Sequence, residues 1–143
     1  MEAPARCNLA AILLERGDVA AAHEEARAAR AVAPASAPML ALVQATLASA
    51  ALAHGAIDEA RAASRAASEM FRAGVGPREH ELFARLQQLR VLRHDGHPEL
   101  FAHVADAKRE LLARAAQLTD EEQRESFVRN VPENAAILVF EAS

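Results

Sequence analysis

The sequence predicts an all-α protein, a right-handed solenoid of three antiparallel helical hairpins with a C-terminal helical extension. Three observations carry this expectation. Apolar residues recur at three- and four-residue steps almost throughout, and the alternation expected of strands is missing. Alanine fills 37 of the 143 positions, giving high helix propensity but little area to bury, so the helices must approach one another closely. Gly17, Gly55 and Gly96 each fall between two predicted helices at spacings of 38 and 41, the mark of a repeated unit whose neighbours share one core.

Glycine and proline bracket the elements. The first helix is predicted from Pro4 to Arg16, with Leu9, Ile12 and Leu13 inward, and Gly17 and Asp18 turn the chain. The second, Val19 to Val32, presents Ala22, Ala26, Ala29 and Ala33 as a narrow stripe that lets a neighbouring helix come close. "APASAP" ends it, because proline lacks a backbone donor and biases its predecessor out of the helical region. The third helix, Ala37 to His54, carries Leu40, Val43, Leu47 and Ala51, and Gly55 repeats the part of Gly17. The fourth, Ile57 to Arg72, repeats the small stripe as Ala60, Ser64 and Ala67 and closes on Met70 and Phe71. After "AGVGP" the fifth, Arg78 to His94, has the most apolar face, with Leu82, Phe83, Leu86, Leu89 and Leu92. The sixth is predicted to start at Pro98 as its first helical residue and to bury Phe101, Val104, Leu111 and Leu112 on its way to Leu118. "TDEE", Thr119 to Glu122, has the form of a capping box and opens a seventh, shorter helix. A last segment starts at Pro132 and ends in "AAILVFEAS". Its Ile137, Leu138, Val139 and Phe140 read as core that seals the third hairpin. The hairpins thus span about 4–33, 37–72 and 78–118 of one domain, with an extension over 119–143.

Composition narrows the function. With 52% apolar and 25% charged residues the chain is not disordered by composition. Its formal net charge is −4 and its fifteen arginines are scattered, so no basic stripe argues for nucleic acid. No apolar run approaches the roughly 20 residues that span a membrane, and no charged and apolar leader opens the chain, so the cytoplasm is the expected compartment. Cys7 is the single cysteine: it has no partner for a disulfide or a thiolate metal site, and it reads as a small apolar residue.

"LAAILLERGDVAAAHEEARAARAVAP" resembles a tetratricopeptide repeat, with Leu9, Ala10, Leu13, Gly17, Ala22, Ala29 and Pro34 at that motif's spacing. Ala26 stands in place of its usual aromatic. The second unit keeps Leu47, Ala48, Gly55, Ala60 and Ala67 but lacks the closing proline. In the third, Leu92 and Gly96 match, whereas Phe101 and Lys108 occupy positions of small residues. The spacings exceed the 34 residues of the standard repeat and approach the HEAT and armadillo range. The tail, "RELLARAAQLTDEEQRESFVRNVPENAAILVF", is similar to the end of the repeat regions in large bacterial serine/threonine kinases and signalling ATPases. Arg124, Phe127, Val128, Val131, Pro132, Glu133 and Asn134 carry that similarity. It implies that the chain is a piece of a longer regulator, its sensor or docking end. The chain also opens inside a first helix with no capping unit before it, so a homodimer through that uncapped N-terminal helix is a second expectation.

No residue pattern predicts catalysis. His94, Asp95, His97 and His103 cluster in "HDGHPELFAH", but they lie on a helix end, a turn and the next helix, and read as exposed histidines rather than a metal site. "HEL" at His80 is not followed by the second histidine of a zinc protease, because residue 84 is Ala84, and no strained Gly-x-Ser-x-Gly turn occurs. Neither metal nor cofactor is expected. The expected function is binding a protein or peptide. In tetratricopeptide stacks the first helix of each hairpin lines the concave groove, which here implies Asn8 and Ala11, then Gln44 and Ser49, then Gln87, Arg90 and Arg93. The arginines would receive an acidic peptide or a carboxylate through charge-assisted hydrogen bonds. The family's carboxylate clamp, which needs Lys and Asn in the first units, is not matched by Cys7, Ala11, Ala45 and Ser49. The alternative is a structural helical domain that self-associates and dimerises its parent.

Overall fold

The computed structural model describes residues 2–34 and 38–141. The predicted start of the third helix at Ala37 lies outside them, as do the last two residues of the extension. Among the described residues all regular structure is helical: α1 (Ala3–Glu15), α2 (Val19–Val32), α3 (Met39–Ala53), α4 (Ile57–Arg72), a 3₁₀ turn (Arg78–His80), α5 (Glu81–His94), α6 (Leu100–Ala116), α7 (Glu121–Arg129) and α8 (Pro132–Leu138). The chain forms two compact units, residues 1–91 and 92–143.

In the first unit one local design is used twice. Gly17 adopts φ +81° and Gly55 φ +84°, a left-handed conformation that costs glycine nothing and strains other residues. The amide of Gly17 donates to Leu14 O and that of Asp18 to Leu13 O; 38 residues on, Gly55 donates to Leu52 O and Ala56 to Ala51 O. Both are Schellman caps, in which the two residues after the helix satisfy its last carbonyls. The same shift superposes the buried faces. Ala3, Cys7 and Ala10 of α1 correspond to Ala41, Ala45 and Ala48 of α3, and Ala22, Ala26 and Ala29 of α2 to Ala60, Ser64 and Ala67 of α4, all buried. Small side chains at these places let α3 seat against both α1 and α2 and let α4 lie along α3. One cluster joins Ala10, Ala22, Ala26, Ala48, Ala50 and Ala63 around Leu47, its one large fully buried side chain.

Helix α5 continues this packing as far as Val91. Ala84 and Phe83 meet Ala41, Ala45, Ala67 and Phe71, and Val91 meets Ala51 and Ala60. Leu82, Leu86 and Leu89 are buried at the glycine-relative places of Ala41, Ala45 and Ala48, so α5 keeps the repeat's register with leucine in place of alanine. Ile12 departs from expectation: it is 46% exposed, because α1 turns its alanine and Cys7 face inward while Leu9 and Leu13 are only half-buried.

In the second unit α6, α7 and α8 pack on one another. Gly96 makes the same cap as before, donating to Arg93 O while His97 donates to Leu92 O. Here the repeat breaks. Pro98 is not the first helical residue; it lies in a further turn in which the Glu99 amide donates to His97 Nδ1 and the Leu100 amide to His97 O. Helices α2 and α4 start two residues after their glycine, whereas α6 starts four after Gly96. Its buried face is correspondingly Leu100, Val104, Ala107, Leu111 and Ala115, one residue out of phase with the small stripes of α2 and α4. Two predicted core residues are therefore on the outside, Phe101 at 77% exposure and Leu112 at 52%. The cap of α7 is Asp120 rather than Thr119, its carboxylate accepting from the Glu122 and Gln123 amides.

The tail residues that carry the second resemblance form a knot of side chain to backbone bonds. Arg124 Nη1 donates to Leu118 O at 2.7 Å, and Asn134, buried, donates from Nδ2 to Phe127 O at 2.9 Å. Pro132 opens α8 where no amide is needed. Ile137 and Phe140 are buried, as read from the sequence, whereas Val139 at 71% exposure is not part of the core.

Candidate binding surface

The residues expected to line a groove divide into three kinds. Asn8 and Ala11 on α1 are exposed, and Gln44 and Ser49 on α3 are half-buried. Ala11, Ser49 and Arg90 stand six residues before Gly17, Gly55 and Gly96 respectively, so the repeat places one residue of each first helix in equivalent positions. Gln87 is buried and offers no surface: its Nε2 donates to Phe83 O and its Oε1 accepts from Arg90 Nη1, each at 3.4 Å. Thr46, nine residues before its glycine as Gln87 is before Gly96, behaves alike and donates to Leu42 O. A polar side chain one helical turn inside the face thus turns back on its own helix, and the position reads as polar without being accessible. Gln44 Oε1 is buried without a hydrogen-bond partner among the described residues. The Arg93 guanidinium lies over the Phe140 ring, 4.3 Å from its centroid, which places it in a cation–π contact within the second unit.

The four groups of the histidine cluster pair locally. His94 Nδ1 lies 3.4 Å from Asp95 Oδ1, His97 Nδ1 accepts the Glu99 amide, and His103 Nε2 is 3.8 Å from Glu99 Oε2. No group of three or more potential metal ligands converges among the described residues. Among the same residues no helix is long and apolar enough to cross a membrane.

The most developed polar arrangement was not visible in the sequence. His23 of α2, buried, donates from Nε2 to Glu59 Oε1 on α4. Arg27, one turn further along α2, donates from Nε to both oxygens of the same carboxylate at 3.1 and 3.0 Å. The His54 ring at the end of α3 stacks on His23, tilted, with centroids 5.2 Å apart. Burial pushes the Glu59 carboxyl up, but the hydrogen bonds from His23 and Arg27 and the Arg27 charge outweigh it and hold the group below its ordinary 4.5. The cluster is a clasp between the two hairpins, with two donors of α2 converging on one carboxylate of α4. Because the folded chain favours ionised Glu59, its contribution is complete above the unfolded value and is lost as pH falls through the folded one. The stability of the protein should therefore drop on acidification below pH 4.5, and Glu59→Gln should flatten that slope while lowering stability at neutral pH; urea unfolding at a series of pH values measures both. Cys7, opposite in kind, is a buried thiol pushed up by its surroundings, with a partial counter-pull from the Thr46 hydroxyl.

Comparison with protein-family models, with curated proteins and with solved structures found no match to this chain.

Proposed function

We propose that the chain is a non-enzymatic protein-interaction module whose successive first helices, α1, α3 and α5, line a groove for an acidic peptide. The observation that carries this reading is the in-register repetition of hairpin and turn, with α3 seated against both helices before it. Consecutive packing of this kind is how tetratricopeptide-like units stack into a curved solenoid, and the curvature of such stacks creates extended binding surfaces. The row Ala11, Ser49 and Arg90 supplies a small, a hydroxyl and a cationic position on consecutive first helices, suited to extended backbone followed by a carboxylate. Resemblance of the tail to the repeat regions of bacterial signalling regulators supports the narrower reading of a sensor or docking end.

A phage-displayed library of random peptides, panned against the chain, tests it. The reading expects enrichment of peptides with clustered Asp or Glu, and a loss of affinity of about tenfold or more on Arg90→Ala, as for removal of a charged hydrogen bond. Ser49→Trp, which fills the row, should abolish the same binding. No enrichment, or binding indifferent to both changes, would overturn it.

A further inference from the structure

Gln87 is 1% exposed and is the one polar side chain among the buried residues of α5, the others being Leu82, Ala84, Leu86, Leu89 and Val91. A primary amide inside a helical core lowers stability unless its hydrogen bonds offset the water it gives up. Here both bonds are 3.4 Å, longer than the usual range, so an apolar side chain of the same length would hold the fold at least as well. What the amide acts on must account for it.

The Nε2 donor is taken by the carbonyl of Phe83, one turn back along α5. That bond fixes which end of the amide faces which way and leaves Oε1 to the following turn. Arg90, three residues on and half-buried, donates to Oε1 from Nη1. Thr46, at the equivalent place on α3, also bonds one turn back, to Leu42 O. Three residues after Thr46 comes Ser49, a short side chain with little freedom to lose. On α5 a long, flexible arginine is matched with a long buried amide.

We propose that Gln87 is a positioning residue for ligand recognition: it touches no ligand, and it holds the Arg90 guanidinium ready for a carboxylate. The proposal rests on the reading of Arg90 as the cationic end of the row Ala11, Ser49 and Arg90. A side chain ordered before its ligand arrives loses less freedom on binding, a difference of about three- to tenfold in affinity.

Gln87→Met keeps the length of the side chain and removes the acceptor, and three measurements on the full chain test the proposal. In urea unfolding the variant should be no less stable than the wild type. In ¹⁵N relaxation of the ligand-free chain, the order parameter of the Arg90 Nε–Hε bond should fall in the variant. With a capped hexa-aspartate peptide as probe, the variant should bind about three- to tenfold more weakly. In an Arg90→Ala background the same change should leave the affinity unaltered, because no guanidinium is left to hold. An Arg90 side chain equally ordered in wild type and variant overturns the proposal, as does a variant that is less stable, whose amide then serves the fold. So does a peptide bound equally well by wild type and Gln87→Met, or a loss of affinity that persists in the Arg90→Ala background. In these cases the groove reading stands, whereas a wild type that does not bind hexa-aspartate overturns both.

Discussion

Leu111→Ala should cost about 2–5 kcal/mol of stability, while Leu112→Ala should change it by no more than about 0.5 kcal/mol. The two leucines are neighbours with the same helix propensity, so their difference reports only which way each faces. Leu111 is fully buried in the unit formed by α6, α7 and α8, and its truncation removes apolar contacts and leaves a cavity. Leu112 is half in solvent and loses little. Urea unfolding followed by helical circular dichroism, at protein concentrations too low for association, measures both. A larger loss at Leu112 than at Leu111 would mean that α6 keeps the phase of α2 and α4.

Leu47→Ala should be as damaging, at about 2–5 kcal/mol, and its neighbour Ala48→Leu should destabilise by about 1–3 kcal/mol for the opposite reason. Leu47 is the large side chain around which Ala10, Ala22, Ala26, Ala50 and Ala63 are arranged, and alanines cannot close over the space it leaves. Ala48 is fully buried in the same cluster, to which α1, α2, α3 and α4 all contribute and in which most of the side chains are methyl groups. A leucine there has no room unless α3 moves away from α1 and α2. Paired loss on shrinking one residue and enlarging the next is expected of a close-packed interface and not of a loosely filled one. Thermal and urea unfolding of the two variants provide the comparison.

The first two hairpins were legible in the sequence because glycine placement and small residues at three- and four-residue steps report the same geometry twice. The register of α6 was not, for an identifiable reason. Leu111 and Leu112 are adjacent, Phe101 is the largest apolar residue nearby, and hydrophobicity alone cannot phase such a helix. The phase is set by the extra turn at His97, Pro98 and Glu99, where proline reads equally well as a helix start or as the turn before one. Ile12 misled in the same way: α1 buries Ala3, Cys7 and Ala10, so the larger residue is the one left outside. The clasp of His23, Arg27 and Glu59 was invisible because it joins residues 36 and 32 apart through no motif. The residues expected to line a groove were legible as positions on helices but not as accessible groups, since Gln87 spends its amide on its own helix and Arg93 lies on Phe140.

Thiol reactivity along α6 tests the central claim most directly: two hairpins in register, followed by a helix one residue out of phase. Cysteine placed singly at residues 101, 104, 105, 107, 111 and 112, with the buried Cys7 as an unreactive internal reference, can be titrated with a thiol reagent at a dilution that keeps the chain monomeric. The structure predicts fast labelling at 101, 105 and 112 and protection at 104, 107 and 111. Protection at 101, 105 and 112 with fast labelling at 104, 107 and 111 would contradict it. That result would return α6 to the phase of the first two hairpins.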